Sequence, residues 1–213
     1  MFGMPFGLFR CFIFLAVLTD TLYLCHIKAT TMSKTQKEFD DAIARCRDIF
    51  KKKLFDYGAS WRILRPQSVT DQLFIKAKRI RTLETSGTSA VGEGILPEFI
   101  AIVNYAVIGC IQLALGASDT KDISPEEALA LYDAKIAEAR SLMIAKNTDY
   151  GEAWREMRVA SYTDFILTKI ERVKEIEENN GMTLISEGID ANYFDMLNYA
   201  VFGIIKLTPV CEE

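Results

Sequence analysis

The 213-residue chain is half hydrophobic and carries a net charge of −4 with a pI near 5.3, which supplies a sizeable core and excludes a basic face for non-specific duplex binding. Five cysteines, none in a C-x-x-C pair, exclude a zinc ribbon and a disulfide frame, and point to reduced thiols in a cytoplasmic protein. His26 is the only histidine; beyond it there is no Ser-His-Asp or Cys-His catalysis and no histidine zinc site, and the chain has neither a P-loop nor a G-x-G-x-x-G.

Residues 1–32 form a leader. Residues 11–25 are apolar and follow Arg10, as in a signal-peptide core, but the run is too short to cross a bilayer and is broken by Asp20. Two readings stand, an over-extended start with translation beginning at Met32, and a secretion signal. The first is preferred, because MSKTQKEFDDAIARCRDIF opens as a cytosolic start in which Ser33 and Gln36 form a capping box.

The rest of the chain is a duplication. At an offset of 93 residues, DYGASWRILRPQSVTDQLFIKAKRIRTLE from Asp56 lies over DYGEAWREMRVASYTDFILTKIERVKEIE from Asp149. After one inserted residue, Glu93-Gly94-Ile95 lies over Glu187-Gly188-Ile189 and Asn104-Tyr105-Ala106-Val107 over Asn198-Tyr199-Ala200-Val201, each latter pair followed two positions on by glycine. Repeat 1 is assigned to residues 33–118 and repeat 2 to residues 119–213, packed as one globular unit.

Each repeat reads as three helices. The first helix of repeat 1 carries an apolar stripe, Phe39, Ile43, Cys46, Phe50 and Leu54, and stops at Gly58; that of repeat 2 starts with an N-cap, a proline and a capping-box acid in Ser124-Pro125-Glu126-Glu127 and runs to Gly151. The second helices start near Ser68 or Thr70 and near Ser161, and end at Gly87 and Gly181. The third, Phe99 to Leu115 and Tyr193 to Leu207, are apolar nearly all round and belong at the centre. With no alternating strand pattern, the fold class is all-α, a bundle with a pseudo-twofold axis between the repeats.

Polar residues on the central helices are the candidate chemistry. Asp195 and Asn198 share a helix face, Glu187 precedes that helix, and Asp190 is placed to cap it. Repeat 1 has Ala101 at the Asp195 position but retains Glu93 and Asn104 and adds Glu98. Acids and amides converging in this way would hold Mg²⁺ or Mn²⁺, giving Glu93, Glu98, Glu187, Asp195, Asn104 and Asn198 as metal ligands, with Glu187 and Asp195 in catalysis. Lys76 with Arg79, and Lys169 with Arg172, would neutralise a metal-bound phosphate. Trp61 and Trp154, in the D-Y-G-x-x-W-R segments opened by Asp56 and Asp149, either stack on a base or anchor the turn; Arg62 and Arg155 either bind phosphate or cap a helix.

The pattern K-x-x-D-Y-G, then K-x-x-R, then an acid-led D-x-x-N-Y-A helix resembles the nucleotide modification associated helical domain family, in its tandem-duplicated bacterial form, from about Ser33 to Leu207. The matching positions are Lys53 or Lys146, Asp56 or Asp149, Lys76 or Lys169, Arg79 or Arg172, Glu93 or Glu187, and Asn104 or Asn198. Only Asp195 meets the acid of D-x-x-N; Ala101 departs from it, so repeat 1 holds an incomplete motif. The resemblance implies a link to modified nucleotides. A looser, fold-level similarity connects the bundle to the MazG-type all-α nucleoside triphosphate pyrophosphohydrolases, whose E-x-x-E and E-x-x-D motifs are not cleanly present. Two functional expectations follow: a cytoplasmic, Mg²⁺-dependent protein that binds and hydrolyses a nucleoside phosphate, or a non-enzymatic module that binds a partner or a modified nucleotide. Neither involves direct duplex binding or, for the core, a membrane, and the chain is expected to be a monomer or a homodimer.

Overall fold

The computed structural model describes residues 32–87 and 92–208; residues 1–31, and with them the choice between a late start and a secretion signal, lie outside this range. Among the described residues six helices follow one another: α1 (Lys34–Tyr57), α2 (Pro66–Ser86), α3 (Leu96–Leu115), α4 (Pro125–Tyr150), α5 (Val159–Glu178) and α6 (Ile189–Leu207). Single 3-10 turns, Ser60–Ile63 and Ala153–Glu156, join α1 to α2 and α4 to α5. No strand occurs among the described residues.

Local sequence accounts for most helix ends. Ser33 and Gln36 exchange hydrogen bonds of 3.0 and 3.2 Å at the start of α1, and Ser124 and Glu127 do so at 2.8 and 3.1 Å at the start of α4, satisfying amides that have no partner within the helix. The D-Y-G glycines end α1 and α4 with φ of 65° and 59°, a left-handed turn that glycine enters without steric penalty. Four helix starts differ from expectation, and α5 ends at Glu178 rather than at Gly181. α2 and α5 begin earlier, at Pro66 and Val159, because the 3-10 turn is shorter than the apolar pattern suggests and Pro66 fits the first helical position. α3 and α6 likewise start earlier, at Leu96 rather than Phe99 and at Ile189 rather than Tyr193. Asp190 does not cap α6; the N-cap is Gly188, with no side-chain cap, and Asp190 lies in the first turn.

The centre of the fold is the α3–α6 contact, with α2 packed on α3, α5 on α6, and α2 against α5. α3 is long and apolar enough to cross a membrane, but 67% of its apolar window is buried inside the fold. The close approach depends on two glycines. A Cβ on Gly109 would lie 2.7 Å from the Tyr193 ring, and one on Gly203 would lie 2.9 Å from the Phe99 ring. Gly109 corresponds to Gly203, and Tyr193 to Phe99, so each repeat seats its aromatic ring in the notch of the other. The same reciprocity places Thr70 on Glu177 (2.9 Å) and Thr163 on Glu84 (3.0 Å), and pairs α1 with α4 through Arg47–Asp133 and Arg140–Asp40. Equivalent residues exchanging equivalent contacts define a twofold relation between the repeats.

Candidate functional site

A cavity of about 570 Å³ opens in repeat 1 between α1, the first 3-10 turn, α2 and α3. Its apolar wall includes Phe50, Trp61, Leu96, Ile100 and Ile108, and its polar groups include Lys53, Tyr57, Lys76, Glu98, Asn104 and Tyr105. Phe50 is backed by Tyr132, stacked at 4.5 Å. The hydroxyl of Tyr132 donates to Asn104 Oδ1 at 2.9 Å, and Asn104 Nδ2 donates to the Cys46 carbonyl at 3.1 Å. Asn104 is therefore a fixed part of the wall, with its carbonyl and one amide hydrogen already engaged.

The charged edge is ordered by Glu98, which is 3% exposed. Arg79 donates to its Oε1 and also reaches Glu93 Oε2 at 3.4 and 3.5 Å. The Lys76 ammonium lies 3.3 Å from Glu98 Oε2, out of alignment, and no hydrogen bond reaches that oxygen. Lys53, exposed at the cavity edge, makes no ion pair among the described residues.

Repeat 2 builds the equivalent position differently. Asp195 Oδ1 takes the Lys146 ammonium at 2.5 Å and Oδ2 takes Lys169 at 2.6 Å. Burial works against ionisation of Asp195, but the two lysines prevail and hold its carboxyl below the usual range, while the same contact raises Lys146 against its own burial. The acid has moved by one helical turn between the repeats: Glu98 and Ala101 in repeat 1 stand where Asn192 and Asp195 stand in repeat 2. Asn192 turns back to the Gly188 carbonyl at 2.8 Å. Asn198 donates to the Ala139 carbonyl at 3.3 Å, mirroring Asn104 on Cys46.

The expected metal ligands do not gather. Among the described residues no three acidic, histidine or cysteine side chains form a cluster. Glu187 and Glu93 are exposed, Asn104 and Asn198 donate to the Cys46 and Ala139 carbonyls, and the buried carboxylates Glu98 and Asp195 already face two cations each. This donor set does not fit a hard cation held by the protein, which needs carboxylate oxygens free of competing ammonium and guanidinium groups. Of the expected phosphate-binding residues, Lys76, Arg79 and Lys169 have acidic partners, while Arg172 is exposed and makes no ion pair among the described residues. Asp56 and Asp149 are exposed at the helix ends.

The D-Y-G-x-x-W-R aromatics and arginines take the structural alternative in large part. Trp154 stacks on Phe202 at 4.4 Å and 7°, with the Arg155 guanidinium 4.3 Å from its ring centre. Trp61 is 7% exposed and lines the cavity. Arg62, 2% exposed, is held by Asp122 at 2.8 and 3.1 Å, by Gln112 and by the Gly116 carbonyl; Arg155 is held by Glu38 and Glu152, both at 2.6 Å. These arginines tie the turn to neighbouring segments.

A family model described as nucleotide modification associated domain 1 matches the chain twice, over residues 53–113 and 146–207. The chain belongs to this family. Both matches begin at the corresponding lysine, Lys53 and Lys146, and run through the third helix of each repeat, so the nucleotide modification associated domain is present here as a tandem duplication. No curated protein and no solved structure matches the chain.

Proposed function

We propose that this nucleotide modification associated protein is a cytoplasmic, monomeric nucleotide-binding module whose ligand enters the repeat-1 cavity. The observation that carries the reading is the cavity's composition: an aromatic and aliphatic wall of base size, with Lys53 and Lys76 at its polar edge. Ligand sites of this kind combine an apolar body with a few placed polar groups, and a planar base against Phe50 and Trp61 with its phosphate toward the lysines satisfies both parts. The family's association with nucleotide modification makes a normal or modified nucleotide the appropriate class. Two buried free thiols, Cys46 and Cys110, suit a reducing compartment. The reciprocal contacts between the repeats already occupy the surfaces that a dimer of single repeats would use.

Binding without hydrolysis is the form that the arrangement supports, since the donor set gives a divalent ion no protein site and the nearby carboxylates are neutralised by lysine and arginine. The deciding experiment is thermal unfolding of the full chain with nucleoside mono-, di- and triphosphates, with Mg²⁺ or with EDTA. Ligand at a hundred times its dissociation constant adds about 2.7 kcal/mol, and the shift is expected to be the same in EDTA. Product release in Mg²⁺ would restore the hydrolase reading. No shift with any nucleotide would overturn nucleotide binding.

A further inference from the structure

We infer that the repeat-1 cavity holds the anionic group of its ligand over Ala101, between Lys53 and Lys76, where repeat 2 carries its own Asp195 carboxylate, and that the ligand is a nucleoside monophosphate. This inference rests on the nucleotide reading above.

The duplication supplies an internal comparison. In repeat 2 the two lysines of the family pattern close on the two oxygens of one carboxylate, at 2.5 and 2.6 Å. Repeat 1 presents the same lysines from the same helices, and Lys53, Lys76 and residue 101 all line the cavity. Position 101 is alanine, so no carboxylate at that position reaches between them, and the acid of α3 nearest Lys76 is Glu98. Lys53 is left without an ion pair among the described residues, and Lys76 is left with a misaligned approach to Glu98. Asp195 thus marks a place between the two lysines that repeat 1 leaves without a carboxylate of its own, its acid standing one turn earlier at Glu98.

A second difference makes room for the rest of the ligand. Phe202 of α6 stacks on Trp154, filling the space beside that ring. Its equivalent is Ile108, which lines the cavity together with Trp61. The smaller side chain leaves a slot of aromatic dimensions beside Trp61, next to the anion position.

Charge limits the phosphate count. Arg79 and Lys76 are set against Glu93 and Glu98, leaving Lys53 as the uncompensated cation. One phosphate, at about −1.5 to −2, exceeds that single excess charge by less than a di- or triphosphate does. A triphosphate, with about twice the charge of a monophosphate, would bring its surplus beside Glu93 and Glu98, where like charges disfavour it.

The test is isothermal titration of the full chain with dAMP and dTMP, their nucleosides and their triphosphates. It is repeated on Lys53→Met, Ala101→Asp and Ala101→Asn, with the melting temperature of each variant as the check on folding. The monophosphate is expected to bind once per chain, and the nucleoside and triphosphate each about tenfold or more weaker. Lys53→Met should bring the monophosphate to the level of the nucleoside. Ala101→Asp should remove monophosphate binding without lowering the melting temperature, while Ala101→Asn, of the same size but uncharged, retains more. Unchanged monophosphate binding in folded Lys53→Met or Ala101→Asp, or a nucleoside binding as tightly as its monophosphate, overturns the inference and leaves the nucleotide reading standing. Absence of binding by any nucleotide overturns both.

Discussion

Arg47 on α1 holds Asp133 on α4 through two hydrogen bonds, Nε to Oδ1 at 2.7 Å and Nη2 to Oδ2 at 2.8 Å. Arg140 holds Asp40 in the same way, at 2.7 and 3.0 Å, and each residue of one pair is the repeat equivalent of a residue in the other. A contact and its mirror image should behave alike energetically. Double-mutant cycles to alanine are expected to give a coupling of about 0.5–1 kcal/mol for each pair, since the side chains are partly exposed and screened. The Arg140–Asp40 coupling should be the larger, because its side chains are 28% and 38% exposed against 38% and 46%. Urea unfolding at low and at 1 M salt checks both values; salt should reduce them.

Gly109→Ala puts a methyl group 2.7 Å from the Tyr193 ring. The ring is fully buried and its hydroxyl is tied to Thr70 at 2.8 Å, so it has no room to retreat, and the expected loss is about 1–3 kcal/mol. Gly203→Ala meets the Phe99 ring at 2.9 Å and should lose less, because Phe99 has no hydroxyl anchor. Equal losses in denaturant melts would show that the Thr70 bond does not restrain Tyr193.

Tyr132→Phe removes the only hydrogen bond to Asn104 Oδ1 given by a side chain among the described residues, leaving a buried acceptor unmet at an expected cost of about 1–2 kcal/mol. Asn198 Oδ1 already has no partner, and the equivalent of Tyr132 on α1 is Phe39, which carries no hydroxyl. The variant therefore reduces repeat 1 to the state of repeat 2. Chemical denaturation measures the loss.

The Asp195–Lys146 contact gives stability a defined pH window. The carboxyl of Asp195 is depressed in the folded state, so its contribution is present above the unfolded carboxylate pKa and disappears as pH falls through the lower folded value. Lys146 is raised, so its contribution is present below the unfolded lysine pKa and disappears as pH rises through the higher folded value. Asp195→Asn should flatten both ends of the stability profile relative to wild type, and melting temperatures across the pH range would reveal a change at one end only if a different partner dominates there.

The fold was readable wherever the two repeats agree. Gly109 and Gly203, Thr70 and Thr163, Asn104 and Asn198 recur because a twofold packing needs each residue type at both positions, and helical periodicity placed them on the central helices. The cavity was hidden because disagreement creates it. Ala101 against Asp195 reads as an incomplete motif, when in three dimensions it lines the cavity, as does Ile108, the counterpart of Phe202. A sequence displays Glu98 and Asp195 as carboxylates without displaying the lysines and arginine that face them from α2, α4 and α5. Arg62 shows the converse, since its partners Asp122, Gln112 and Gly116 lie about 50 to 60 positions away along the chain and no local pattern announces them.

The glycine notches bear on how the molecule comes apart. In a solenoid, neighbouring repeats meet along one edge and can melt in succession. Here each notch is filled from the opposite half, so unravelling either repeat strips a buried ring of its seat and uncovers the glycine face of the other. The duplicated chain is thus committed to losing both halves together, in one cooperative transition.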